Sequence, residues 1–163
     1  MAQVKVLFVC LGNICRSPMA EAVLRQKINE KGLSEHIAVD SAGTGDWHIG
    51  KPPHEGTRAI LDSQGIPYDG MKGRQLHPDD FQQFTYIVCM DRSNERNVMD
   101  WEGASSKSAA VIRFMSLLPE EGQEDVPDPY YTGNFDEVYR LVSSGCSNLL
   151  ERIVEEQHLP AGM

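Results

Sequence analysis

Five residues separate Cys10 from Arg16 in the run Cys10-Leu11-Gly12-Asn13-Ile14-Cys15-Arg16-Ser17, directly after an apolar stretch (Val4, Val6, Leu7, Phe8, Val9). A cysteine and an arginine at this spacing, between a strand and a helix, place a sulfur nucleophile under a bound phosphate. A free thiol titrates near about 8.5 and is mostly protonated at neutral pH. Three features of the loop favour the thiolate: a following helix N-terminus, the Arg16 charge, and successive N–H groups that can turn inward as an anion nest. Ser17 adds a hydroxyl that can donate to the sulfur. The same loop, Leu11 to Ser17, can hold the phosphate, its N–H groups meeting the oxygens while Arg16 offers a two-pronged guanidinium. Gly12 permits a turn that a Cβ would obstruct, and Asn13 tolerates left-handed dihedrals and can brace the loop. No Gly-Lys-Ser/Thr follows, which excludes a Walker-type nucleotide loop.

A phosphate ester with a poor leaving group also needs an acid. Val126-Pro127-Asp128-Pro129-Tyr130-Tyr131 is the best candidate, with two prolines stiffening the backbone around Asp128 and two tyrosines available as an aromatic wall. Trp47 follows a glycine-rich turn and reads as a further wall of an aromatic pocket. Cys89 in an apolar strand and Cys146 on an apolar helix face read as core.

The elements that must position these groups alternate. Val4–Val9, Ile37–Ala42, Tyr86–Met90 and Ala110–Phe114 read as strands. Helices are expected from Ser17-Pro18 to Gly32, with Ser17 as cap and Pro18 at the first helical position, and over Thr57–Gln64, Pro78–Phe84 and Ser93–Trp101. His77 reads as a helix-start residue. The acidic segment from Glu120 to Gly133 reads as loop, and Phe135 onward as a long helix. Gly145 within that helix costs about 1 kcal/mol relative to alanine and marks a close contact. This order predicts an α/β fold of three layers, a parallel sheet with helices on both faces, as one domain over residues 1–163. Sites in such sheets lie beyond the carboxyl ends of the strands, which brings the loops after all four strands to one crevice.

The chain has 163 residues and a net charge of −9, which argues against general nucleic-acid binding and requires any phosphate site to be a local positive field. No apolar run approaches the length of a membrane span and no signal peptide is visible, so the expected location is cytoplasmic, with no membrane insertion. Four cysteines without C-x-x-C spacing or a histidine cluster read as reduced thiols, with no metal and no cofactor expected.

The chain resembles the low-molecular-weight protein tyrosine phosphatases over nearly its whole length. The resemblance rests on VCLGNICRSPMAEAV, Asp40-Ser41-Ala42-Gly43-Thr44, Cys89-Met90-Asp91-Arg92-Ser93-Asn94 and Asp128-Pro129-Tyr130-Tyr131. It implies a four-stranded parallel sheet and metal-free hydrolysis of aryl phosphates, typically phosphotyrosine on a protein substrate, through a phosphocysteine. It makes Cys10 the nucleophile, Arg16 the phosphate clamp and Asp128 the general acid. Ser17 would support the thiolate, Asn13 and Ser41 would brace the loop, and Asp91 would pair with Arg74 as outer support. Leu11, Ile14, Trp47, Tyr130 and Tyr131 would hold the aromatic ring, and Cys15 would be a redox partner for Cys10 in a reversible disulfide. Met71 stands where relatives often carry a histidine that braces the loop asparagine. The alternative functions are an arsenate reductase or thiol-redox protein on the same fold, with Cys89 as the one plausible extra redox cysteine, and a non-enzymatic phosphate-binding module. A monomer is expected.

Overall fold

The computed structural model describes residues 4–101 and 109–160. Four strands, β1 (Val4–Cys10), β2 (Ile37–Gly43), β3 (Tyr86–Cys89) and β4 (Ala110–Arg113), form one sheet in the order β2-β1-β3-β4, with every pair parallel. β1 is central, so successive side chains point into two different cores. Val4, Val6, Phe8 and Cys10 face the larger one, and Leu7 and Val9 the smaller. Burial on both faces is why β1 is apolar without alternation from Val6 to Cys10.

The larger core is closed by α1 (Arg16–Glu30), α2 (Glu55–Ser63) and α6 (Phe135–Glu156). The smaller is closed by α3 (Asp80–Gln83), through Phe81, and α4 (Arg92–Met99), through Val98. This is the expected three-layer arrangement. Gly145 of α6 is the anticipated close contact: a Cβ there would lie 2.2 Å from the Phe114 ring.

Two local expectations change. α1 starts at Arg16 with Cys15 in the capping position and no side-chain cap, so Ser17 lies inside the first turn and Pro18 is the third helical residue. The Ser17 hydroxyl is committed to other partners, and the first N–H groups of α1 are left for an anion. The Glu120–Gly133 segment is not all loop. Pro119–Glu121 is a 3-10 turn and α5 (Pro129–Thr132) is a one-turn helix. The residues read as stiffening are its start signal, because Asp128 accepts the Tyr130 N–H as N-cap and Pro129 holds the first helical position.

The topology reverses direction at β1, whose two neighbours in the sheet lead away to either side. The loops after β1 and β3 therefore part at their carboxyl ends and leave a crevice between them.

Candidate active site

Cys10, the last residue of β1, lies at the floor of a cleft of about 340 Å³. The loop around it is turned inside out relative to ordinary turns. The carbonyls of Cys10, Leu11, Ile14 and Cys15 accept N–H groups from Thr44, Gly45, His54 and Met19 at 2.7 to 3.2 Å. A trans peptide points its N–H away from its carbonyl, so the N–H groups of Leu11, Gly12, Cys15 and Arg16 are left on the inner side. The Asn13 N–H donates to Cys10 Sγ at 3.3 Å. Asn13 takes the left-handed conformation, at φ 57°. Gly12 is not in that region; its Cβ would meet the His48 ring at 3.0 Å, so close approach, not dihedral freedom, explains the glycine.

Asn13 is braced on three sides. Its Oδ1 accepts the backbone N–H of Arg74 at 2.9 Å, and its Nδ2 donates to Ser17 Oγ and Ser41 Oγ, both at 2.9 Å. Ser17 Oγ in turn lies 3.0 Å from Cys10 Sγ. The methionine at position 71 therefore leaves no gap in this bracing, because a backbone N–H supplies the bond to Oδ1. Met71 instead packs its sulfur 3.8 Å from an Arg25 nitrogen.

Arg16 is buried, and three bonds fix it: Nη1 donates to Asp91 Oδ2 at 2.8 Å and to the Val126 carbonyl at 3.0 Å, and Nη2 to Asp128 Oδ2 at 3.4 Å. Its Nε is buried with no protein partner. A buried donor in this position is costly unless something accepts from it, which fits a phosphate oxygen. Burial alone would lower the pKa of the guanidinium, but Cys10, Asp91 and Asp128 outweigh it and the net shift is upward. Asp91 aims this side chain, since its other oxygen caps α4 by accepting the Asn94 N–H at 2.7 Å.

The expected pairing of Asp91 with Arg74 is overturned. Arg74 bonds Asp40 at 3.2 Å and Asp80 at 3.1 and 3.2 Å. The strand order explains this. Arg74 runs beside the end of β2, where its carbonyl accepts the Gly43 N–H, whereas Asp91 follows β3 on the other side of β1. Arg74 supports the loop through its backbone bond to Asn13, and Asp91 supports it through Arg16. His77 precedes α3 as expected, its ring accepting the Asp79 N–H.

Leu11, Ile14, Cys15, Trp47, Tyr130 and Tyr131 all line the cleft with Cys10 and Asp128. Trp47 and Tyr131 are strongly solvent-exposed, at 63% and 75%, so the aromatic walls stand open. His48 also lines the cleft and was missed; its ring lies 6.2 Å from that of Tyr130, while His54 meets the same tyrosine edge-on at 5.9 Å. The adjacent Trp47 was the only hint of it in the sequence. Buried Glu21, which accepts a 2.6 Å bond from Ser41 Oγ, was missed as well. Cys89 faces the smaller core, on the opposite side of the sheet from Cys10, and burial pushes its thiol upward. It is not placed to relay electrons, which removes the cysteine on which the arsenate-reductase alternative depended. Cys146 is buried against α1, as expected of a core residue. Among the described residues, no group of three or more His, Cys, Asp or Glu side chains is placed to hold a metal ion.

A buried arginine, an inward-facing amide loop and a cysteine at its centre define an oxyanion-binding thiol site on an α/β sheet. Residues 5–159 match the low molecular weight phosphotyrosine protein phosphatase family. The chain is 49% identical to the low molecular weight protein-tyrosine-phosphatase YfkJ of Bacillus subtilis, over 96% of this chain and 99% of that one. It is 47% identical to PtpA of Staphylococcus epidermidis, over 96% and 97%. The crystal structure of YfkJ superposes with a TM-score of 0.91 at 48% identity, covering 96% of this chain and 98% of that one. A Drosophila arginine phosphatase superposes with a TM-score of 0.85 at 33% identity, covering 91% and 97%. The chain belongs to the low molecular weight phosphotyrosine protein phosphatase family.

Proposed function

We infer that the chain is a protein-tyrosine-phosphatase in which Cys10 is the nucleophile, Arg16 the phosphate clamp and Asp128 the general acid. One observation carries this reading: the buried Arg16 guanidinium lies beside the Cys10 loop and also reaches Asp128 across the cleft. Nucleophile, clamp and acid are thus joined around one site.

In the first step Cys10 Sγ forms a bond to phosphorus as the P–O bond to the aryl group breaks, and Asp128 gives its proton to the departing oxygen. In the second, Asp128 takes a proton from water, the water oxygen bonds phosphorus, and the S–P bond breaks to release phosphate. Arg16 and the inward N–H groups hold the equatorial oxygens in both steps. These groups supply the positive field, so the reaction needs no metal or cofactor.

The walls of the cleft favour a phenyl ring. Leu11, Ile14, Trp47, Tyr130 and Tyr131 are apolar or aromatic, and Asp128 is the one carboxylate among the residues lining it. The substrate is therefore a tyrosine-phosphorylated protein, not a phosphoarginine one. Cys15 sits in the same cleft as Cys10. Burial first, then Cys10 and Asp128, push its thiol up to about 12. It waits as a thiol until a peroxide oxidises Cys10 to the sulfenic acid; the two then condense to a disulfide and water.

The enzyme works as a single domain, residues 1–163, as a monomer in the cytoplasm, without nucleic acid or membrane insertion. The family match over residues 5–159 supports the single domain. Among the described residues no helix is long and apolar enough to cross a membrane, and YfkJ and PtpA, to which the chain is similar, are bacterial phosphatases. The direct test is a rapid denaturing quench after mixing with phosphate-labelled phosphotyrosine peptide. Label should appear on Cys10 within one turnover; hydrolysis with no labelled cysteine would overturn the mechanism.

A further inference from the structure

The segment that carries Asp128 has little of its own to stand on. α5 is a single turn, too short to hold its shape unaided. Its hydrogen bonds are local: Tyr131 and Thr132 donate to the Asp128 carbonyl, Gly133 to that of Pro129, and the Tyr130 N–H to Asp128 Oδ1. Among the described residues, no hydrogen bond joins Pro129–Thr132 to any residue outside 128–134. What holds the turn sideways is the buried Pro129 and the Tyr130 ring, which meets the rings of Tyr131, His54 and His48 at 5.4, 5.9 and 6.2 Å.

These three rings are not equal supports. Tyr131 belongs to the same turn and is strongly exposed. His48 has a buried Nδ1 with no partner among the described residues. His54 is fixed three times over. Its backbone N–H donates to the Ile14 carbonyl at 2.7 Å. Its ring Nδ1 accepts the Gly56 N–H at 3.0 Å and so caps α2. The same ring lies stacked on Phe135, the first residue of α6, with centroids 5.2 Å apart and planes at 19°. Gly56 is what lets α2 and α6 come this close, since a Cβ there would lie 2.4 Å from the Phe135 ring. One turn into α2, buried Thr57 gives its hydroxyl to the Cys15 carbonyl at 3.2 Å. His54 therefore stands on the nucleophile loop, α2 and α6 together, and presents its ring to Tyr130 at 77°.

Tyr130 and Asp128 move as one. Asp128 Oδ1 is tied to the Tyr130 N–H at 3.1 Å, which leaves Oδ2 toward Arg16. Wherever the Tyr130 ring is held, the carboxyl follows.

We propose that His54 is a positioning residue: its ring, seated on Phe135, holds Tyr130 and through it keeps Asp128 within reach of the leaving oxygen. The proposal rests on the reading of Asp128 as general acid. One residue then sets the spacing of the two walls, with its backbone on Ile14 and its ring on Tyr130.

Two substitutions separate the ring from the cap. Asparagine is a good N-cap and keeps the bond from Gly56, but brings no ring. Phenylalanine keeps a ring between Phe135 and Tyr130 but offers Gly56 no acceptor. Both remove the titratable group and both keep the backbone bond to Ile14, so a difference between them reports the ring.

The experiment measures kcat/KM for a phosphotyrosine peptide and for the phosphate ester of an acidic phenol, which departs without a proton, with thermal midpoints recorded alongside. His54→Asn should lower the first about tenfold and the second less than about twofold, with inhibition by inorganic phosphate retained. His54→Phe should recover most of this loss, while its midpoint falls by about 2–4 °C for the missing cap. In an Asp128→Asn background, His54→Asn should cost phosphotyrosine nothing more. Unchanged phosphotyrosine turnover or equal slowing of both esters in His54→Asn, an equal loss in His54→Phe, or an undiminished effect without Asp128 overturns the proposal. Failure of the underlying acid reading looks different: Asp128→Asn in the otherwise native chain would slow both esters equally, and the proposal would fall with it.

Discussion

The two walls of the cleft are built to different standards. The nucleophile loop is held from all sides: its carbonyls by Thr44, Gly45, His54 and Met19, its asparagine by three bonds, and its arginine by three more. The acid segment hangs by few threads. Val126 donates to the Met90 carbonyl and accepts from Arg16, Asp128 meets Arg16 at the long distance of 3.4 Å, and Tyr130 leans on two histidine rings. The half that meets the phosphate, which every substrate shares, is rigid. The half that meets the leaving group, which differs between substrates, is left room to adjust. Preorganised dipoles stabilise a transition state because they do not have to reorganise during the reaction, so the difference falls where it serves the chemistry.

The largest test of this contrast is Cys10→Ser. Turnover of every aryl phosphate should be lost while phosphate binding, measured by calorimetry, survives, because the amide loop and Arg16 remain. Loss of both together would mean that the loop is not preformed. Next is Asp128→Asn, which should slow phosphotyrosine hydrolysis by about 10²- to 10⁴-fold but slow an ester of an acidic phenol far less. Equal slowing of both would assign the acid elsewhere.

A smaller loss, of about 10²-fold, is expected for Asp91→Asn, which loosens the aim of Arg16 without removing it. Its signature is independence of the leaving group. A linear free-energy plot across phenols should shift for Asp91→Asn but steepen for Asp128→Asn; the same slope in both would erase the distinction between the two walls. Trp47→Ala should raise KM for aromatic esters by about 3- to 10-fold, the worth of one aromatic contact, with little change for alkyl phosphates. Indifference to the ester would remove Trp47 from the aromatic wall.

The contrast between the walls also explains what could be read from sequence. Cys10 to Ser17 and Val126 to Tyr131 are contiguous segments whose residue types announce their chemistry, and the strands that place them are short apolar runs. Partners across the sheet are another matter. The resemblance pairs Asp91 with Arg74, and nothing local in the sequence says which strand stands between them; only the order β2-β1-β3-β4 does. Glu21 carries no such signal, because a glutamate on a helix ordinarily marks the wet face. α1, though, is buried on nearly all sides through its first two turns, so its polar stripe points inward. His48 has no motif and owes its place to the backbone path around Gly12.

The smallest expected effect turns on the sign of two titrations, one under each wall. Glu21 lies beneath the nucleophile loop, and burial raises its pKa above the ordinary 4.5 despite the opposing bonds from Ser41 and Arg25. Its native form binds the proton more tightly than the unfolded chain does. Stability from this group is therefore full below the ordinary glutamate range and declines as pH rises through the raised folded value. Asp125, at the root of the acid segment, behaves oppositely: hydrogen bonds from Arg92 lower its pKa below 3.8, so its contribution is full above that value and is lost as pH falls through the folded one. Asp125 is 41% exposed, so solvent screens its part and the shift should be the smaller of the two. Thermal midpoints at about pH 2, pH 4 and pH 7 decide the matter. Glu21→Gln should compare more favourably with the wild type at about pH 7 than at about pH 4, and Asp125→Asn less favourably at about pH 4 than at about pH 2. Matching signs would show that both walls share one electrostatic logic, and that the rigid wall is not the one built over a buried carboxylate at some cost to its own stability.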